Sequence, residues 1–145
     1  MKHKSKKYFE DGYSCSEAIL KAAIDEELIS EHILPVATAF SGGMSSGCLC
    51  GAVAACQIII GATKGRTNAS QAPDEAKALA KEFLTQFKEK RGSSCCRVLT
   101  AKHTFASKER REHCAKIVFD SAELLEGVLR NSKNEPLKDF VKNEK

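Results

Sequence analysis

The sequence predicts an all-α fold, a compact bundle of about five to six helices with a glycine-rich loop before the central, buried one. Three observations carry that expectation. Apolar residues recur at three- and four-residue spacing over most of the chain, and no stretch of useful length reads as a strand. Serine caps and first-turn prolines punctuate the periodic segments.

Lys4 to Asp11 is a short amphipathic segment closed by Gly12. Ser14-Cys15-Ser16-Glu17 has the spacing of a capping box, with Ser14 as N-cap and Glu17 at the third helical position, and opens a helix through about Glu27. Cys15 falls in its first turn, where free N–H groups and the positive end of the helix dipole favour a thiolate. Ser30-Glu31-His32-Ile33 opens a second helix, with Pro35 in its first turn, that runs to Phe40. The loop Ser41-Gly42-Gly43-Met44-Ser45-Ser46-Gly47 is too permissive to be helical, because glycine readily takes φ > 0 and allows close backbone approach. From Cys48 to about Ala62 the run reads as a helix, ended by Gly61 or Gly65. Ala52, Ala54 and Ala55 keep its surface thin, and a helix that is apolar almost all round is a buried one.

After Pro73, Asp74 and Glu75 stand at the end of a helix that favours negative charge. It runs through Lys90, buries Ala76, Leu79, Ala80, Phe83, Leu84 and Phe87 on one face, and meets its terminator in Gly92. Ser93-Ser94-Cys95-Cys96-Arg97-Val98-Leu99 repeats the earlier device, a serine cap with cysteines in the first turn of a short helix. His103 to Ser107 connects to a last helix from about Lys108 to Arg130, whose buried face is Cys114, Ile117, Val118, Ser121, Leu124, Leu125 and Val128. One domain therefore spans 1–130. The polar tail 131–145 carries Pro136 and no packed face, with Phe140 as the residue that would dock it.

Composition narrows the functional classes. With 23 basic against 19 acidic residues, the formal net charge of +4 is small and mixed, and no basic patch interleaves with aromatics, which excludes a nucleic-acid binder. No secretion signal opens the sequence: the basic residues up to Lys7 are followed by Tyr8-Phe9-Glu10-Asp11-Gly12, where an apolar stretch would be needed. The longest apolar run, around Val53 to Ala62, is about half the length that crosses a bilayer. A soluble, cytoplasmic protein with no membrane partner is expected.

Seven cysteines are the anomaly. An odd count without a secretion signal argues against a disulfide framework and for metal binding or thiol redox chemistry, although any one buried Cys can simply pack as a small hydrophobe. Four stand out by position: Cys15 and Cys96 in first turns of capped helices, Cys50 beside the glycine loop, and Cys114 on a core face. Four thiolates suit a structural zinc or a small iron–sulfur cluster, while a low-pKa thiol with a resolving partner would suit metal-free disulfide chemistry. The short CxxC pairs that mark such sites are absent. His32 and His103 read as surface polar residues, and His113 is rotated about 100° from Cys114 along the helix. There is no paired acid and base, no Ser-His-Asp pattern, and no GK[ST] ending to the glycine loop, so an independent hydrolase or kinase is not indicated.

The cysteine segments resemble the C-GCAxxG-C-C family of redox-active proteins. Gly12-Tyr13-Ser14-Cys15 matches the first cysteine, Cys50-Gly51-Ala52-Val53-Ala54-Ala55 the central motif, Cys96-Arg97-Val98-Leu99 the third and His113-Cys114-Ala115-Lys116-Ile117-Val118 the fourth, over roughly Lys4 to Leu129. Ala55 stands where the family usually has glycine, and Cys50-Gly51 is in the opposite order from the family's name. Cys48, Cys56 and Cys95 are extra, so Cys48 could substitute for Cys50 and Cys95 for Cys96. The resemblance extends to the non-haem domain of split-Soret cytochromes. It implies a helical redox domain in which Cys15, Cys50, Cys96 and Cys114 hold one iron–sulfur cluster, [2Fe–2S], with Gly42, Gly43 and Gly47 offering backbone N–H groups to its sulfurs. Covalent haem is excluded because no CxxCH occurs. An electron-transfer or redox-sensing role and a redox partner protein of unknown identity follow. The Ala- and Ile-rich stretch Val53 to Ala62 could also bury against a second copy to give a homodimer.

Overall fold

A computed structural model describes residues 1–132, and these form six α-helices with no strand among them. The helices are α1 (Lys2–Glu10), α2 (Cys15–Asp25), α3 (Gly51–Lys64), α4 (Asp74–Arg91), α5 (Cys96–Leu99) and α6 (Lys108–Ser132). The chain is all-α, and α2, α3 and α6 pack against one another at its centre. α1 lies across α2 and α6, and α4 lies across α3 and α6. α6 continues two residues beyond the expected end at Arg130, while Phe140 and the tail from 133 onward lie outside the described residues.

α3 is central because its sequence leaves it no polar face. Gly51, Ala52, Val53, Ala54, Ala55, Cys56, Ile59 and Ile60 are all buried, so the surface that could have met a second copy is mostly used within the chain. Around it pack Ile19 and Leu20 of α2, Phe83 and Phe87 of α4, and Val118, Leu125 and Val128 of α6. The rings of Phe83 and Phe87 stack with centroids 6.2 Å apart. No helix among the described residues is long and apolar enough to cross a membrane.

The capping box at α2 forms as its spacing demands. Glu17 N–H donates to Ser14 Oγ and Ser14 N–H donates back to Glu17 Oε2 at 2.9 Å. Glu17 also accepts from Thr38 Oγ1 at 2.8 Å, and Ser16 Oγ donates to the Ala37 carbonyl at 2.7 Å. These bonds tie α2 to the segment Glu31–Phe40, which differs from the expected α-helix by being wound as 3-10 turns. The reason is local: Pro35 has no N–H to donate within the segment, and only Ala37 is buried, so no apolar stripe enforces 3.6 residues per turn.

Replacing Ser14 by Ala should lower stability by about 1 kcal/mol, the usual worth of an N-cap, as read by chemical denaturation. The Ser14 N–H, foremost, holds the Glu17 carboxyl below its ordinary range, against a smaller opposing effect of burial. Its contribution should therefore be complete above about pH 4.3, the unfolded value, and be lost as pH falls through the lower folded one.

Candidate cysteine site

The glycine-rich loop closes on itself as a left-handed turn. Gly42, Gly43, Met44 and Ser45 all have φ between 53° and 66°, a run that only glycine adopts without strain. It is pinned by Cys48 N–H donating to the Gly43 carbonyl at 2.8 Å, and by Arg97 Nη2 donating to the Ser46 carbonyl at 3.1 Å. A Cβ on Gly43 would stand 2.5 Å from Cys96 Cβ and 2.6 Å from Cys48 N, so glycine is required there by space as well as by φ.

Beyond this turn the chain is extended rather than helical. Leu49 forms an isolated antiparallel bridge with Cys95, through Cys50 N–H to the Ser94 carbonyl at 2.8 Å and Cys96 N–H to the Cys48 carbonyl at 2.5 Å. The expectation that α3 starts at Cys48 is thereby corrected. Cys48 is outside the helix, Cys50 is its N-cap, and the Cys48 carbonyl, which a helix starting there would have used as an acceptor, is taken by Cys96 N–H in the crossing. Cys95 is likewise the N-cap of α5 rather than a first-turn residue, with its own N–H donating to Ser93 Oγ at 3.1 Å.

The crossing brings Cys50 and Cys96 to the wall of one cavity of about 220 Å³, which is also lined by Cys15 at the start of α2 and Cys114 of α6. Phe9, Leu99 and Ile117 make the wall apolar, Arg110 and Arg111 are its cations, and no carboxylate among the described residues lines it. Gly51 is the pivot, since a Cβ there would lie 2.6 Å from Cys15 Sγ and 2.7 Å from the Phe40 carbonyl oxygen. Among the described residues no group of three or more His, Cys, Asp or Glu side chains is arranged to hold a metal ion. The four thiols surround a space rather than meeting at a point.

Burial acts on three of these sulfurs. It pushes the Cys15 thiol up, against the Gly42 and Ser16 N–H groups, so the first-turn advantage expected for a Cys15 thiolate is outweighed by desolvation. Cys50 is pushed up to about 12 by burial and then by the proximity of Cys15. Burial likewise raises Cys114, with Cys15 adding and Arg110 partly offsetting. Four thiolates here would repel one another in a poorly solvated space unless a cationic centre joined them.

Other candidates lie elsewhere. Cys48 is exposed and bonded to the Ser46 carbonyl, Cys95 donates to the Gly47 carbonyl at 3.4 Å, and neither lines the cavity. Cys56 is wholly buried in the core, donates to the Ser121 carbonyl at 3.6 Å, and has its thiol raised by burial. Of the loop glycines only Gly42 lines the cavity, Gly43 being packed under Cys96 and Gly47 beside Arg97. His32 is exposed, whereas His103 is half-buried with its ring 4.6 Å from that of His113, whose Nε2 is bonded to the Leu99 carbonyl oxygen at 2.8 Å. Arg110 and Arg111 were not singled out from the sequence. Their signal was their placement four and three residues before Cys114, one turn away on the same helix.

A family model described as "Putative redox-active protein (C_GCAxxG_C_C)" matches residues 13–128. The chain belongs to the C_GCAxxG_C_C family. No curated protein and no solved structure matches it. All four cysteines of the cavity fall inside the matched region of this redox-active family, as does the Gly51 that lets α3 approach Cys15.

Two outcomes follow from this packing. Alanine normally stabilises a helix relative to glycine, but Gly51→Ala should destabilise by about 1–3 kcal/mol through overpacking against Cys15 and Phe40, as read by denaturant melting. A maleimide applied to the native protein should modify exposed Cys48 first and leave Cys50 and Cys56 untouched until the chain is unfolded, as resolved by peptide mass mapping.

Proposed function

We propose that Cys15, Cys50, Cys96 and Cys114 bind one iron–sulfur cluster, of the [2Fe–2S] type, in a protein that transfers electrons or senses redox state in the cytoplasm. The observation that carries this reading is the convergence of four thiols, from α2, the start of α3, α5 and α6, on one apolar-walled cavity. The donor set fits: four cysteines are what such a cluster requires, and a cavity of about 220 Å³ leaves room for a multi-atom occupant. A single structural zinc wants four sulfurs about one point, and the thiols stand instead around a space. Metal-free disulfide exchange wants a depressed thiol pKa, whereas burial raises Cys15, Cys50 and Cys114.

When bound, the cluster supplies one-electron chemistry at a potential set by its surroundings. The chain's own part is to hold and tune it. Cys15 receives N–H donation from Gly42 and Ser16, and Cys114 lies beside the Arg110 guanidinium, both of which favour added negative charge at the ligands. Phe9, Leu99 and Ile117 limit water at the cavity wall. The redox partner on this reading is a protein that meets the mouth of the cavity.

Protein purified without oxygen, or reconstituted with iron and sulfide, should contain both in matching amounts and absorb in the visible. Serine at Cys15, Cys50, Cys96 or Cys114 should abolish the colour, whereas serine at Cys48 or Cys95 should retain it. A folded chain that takes up no iron and sulfide on reconstitution overturns the reading.

A further inference from the structure

A second cavity, of about 520 Å³, opens beside the cysteine site and shares with it Ser41, Gly42, Cys96, Thr100 and Arg110. Its charge is one-sided. Arg97 and Arg110 line it, with Ser45 adding a further hydroxyl, and no carboxylate among the described residues does. Among the described residues neither arginine belongs to an ion pair. A larger cavity along α4 shows the ordinary alternative, with Lys77 and Lys81 mixed among Asp74, Glu82 and Glu89. The stretch from Arg97 to Arg111 sharpens the contrast, because it carries Arg97, Lys102, Lys108, Arg110 and Arg111 against one acid, Glu109.

Among the described residues both guanidiniums are positioned by contacts to neutral groups. Arg97 uses Nη2 on the Ser46 carbonyl, which also braces the strained turn at Met44 and Ser45. Arg110 lies over the ring of Phe105, 4.9 Å from its centroid, and Phe105 is itself 82% exposed. An exposed aromatic that covers one side of a cation sitting in a concave site is poorly explained by packing alone. Ser41 and Thr100 spend their hydroxyl protons on the Thr38 and Cys96 carbonyls, which leaves Ser45 as the lining hydroxyl beside the two arginines. Two forked cations with no competing carboxylate among the described residues are the chemistry that recognises an oxyanion, and the volume is that of a small-molecule site.

We propose that this cavity binds a small oxyanion-bearing molecule, a carboxylate- or phosphate-type group clamped by Arg97 and Arg110, against Cys96 and the cysteine site. The anion site stands on the cavity alone. That its occupant is a ligand of the redox centre rests on the iron–sulfur reading.

The probe is inorganic sulfate, titrated calorimetrically against chloride at constant ionic strength into cluster-free protein. Sulfate should bind, Arg97→Gln and Arg110→Gln should each weaken it at least tenfold, and Arg97→Lys and Arg110→Lys should retain more of it than the Gln variants. Arg130→Gln, an exposed arginine on α6, should leave it unchanged. No binding above chloride by folded wild-type protein, or binding undiminished in both Gln variants, overturns the site. On iron-loaded protein, sulfate should shift the visible or paramagnetic spectrum, and this shift should vanish in Arg97→Gln. Binding without any shift overturns the link to the redox centre while leaving the cluster reading intact, and a chain that loads no iron removes that reading while the first titration still judges the anion site.

Discussion

The cysteine site depends on a backbone crossing of two hydrogen bonds. Cys50 N–H to the Ser94 carbonyl and Cys96 N–H to the Cys48 carbonyl fasten the approach to α3 against the approach to α5, segments separated by the whole of α3 and α4. Without that pairing, nothing in helix packing alone would bring the N-terminal ends of α3 and α5 to one wall. With it, the starts of the two helices deliver Cys50 and Cys96 together, and α2 and α6 need only supply Cys15 and Cys114. Gly43 and Gly51 are the places where this approach is too tight for a side chain. Small residues thus serve the site as directly as the sulfurs do.

Much of the fold was legible because it rests on local signals. The capping box at Ser14 and Glu17, the acidic first turn and Gly92 stop of α4, and the buried stripe of α6 each announce themselves within one or two turns of helix. What was not legible was set at a distance. Cys48 to Cys50 look helical in isolation and become extended because Ser94 and Cys96 pair with them from more than forty residues away. For the site, the four sulfurs could be chosen by their places near helix starts and by family resemblance. Arg110 and Arg111 carry only their place one turn before Cys114 as a mark, and it is the folded cavity that shows these charges, among many on the chain, facing the cysteines.

The charge of the cavity follows from competition between two effects that the sequence suggests with equal force. A cysteine in the first turn of a helix is offered N–H donors, and these do reach Cys15 from Gly42 and Ser16. The same residue faces Phe9, Leu99 and Ile117, which deny it water. Desolvation of a charge is worth several kcal/mol, whereas a helix terminus contributes about 1 kcal/mol or less, so burial prevails. The neutral thiol is then favoured at Cys15, Cys50 and Cys114, which makes none of the three a ready nucleophile.

The left-handed turn extends that logic from the sulfurs to their surroundings. Met44 and Ser45 each hold a conformation that costs about 1–2 kcal/mol in a residue with a Cβ. Strain of that size persists only where neighbouring bonds over-determine the backbone. Here the bonds are Cys48 N–H to the Gly43 carbonyl, Arg97 to the Ser46 carbonyl and Cys95 to the Gly47 carbonyl, so Cys48, Cys95 and one arginine hold the turn in shape. Were the loop a passive connection, a relaxed turn would serve equally well. Its strained form instead places Gly42 on the cysteine cavity and Ser45 on the adjoining one, with Arg97 serving both as brace and as lining charge. The energetic cost is therefore concentrated where the two cavities meet, and relaxing the turn would disturb both.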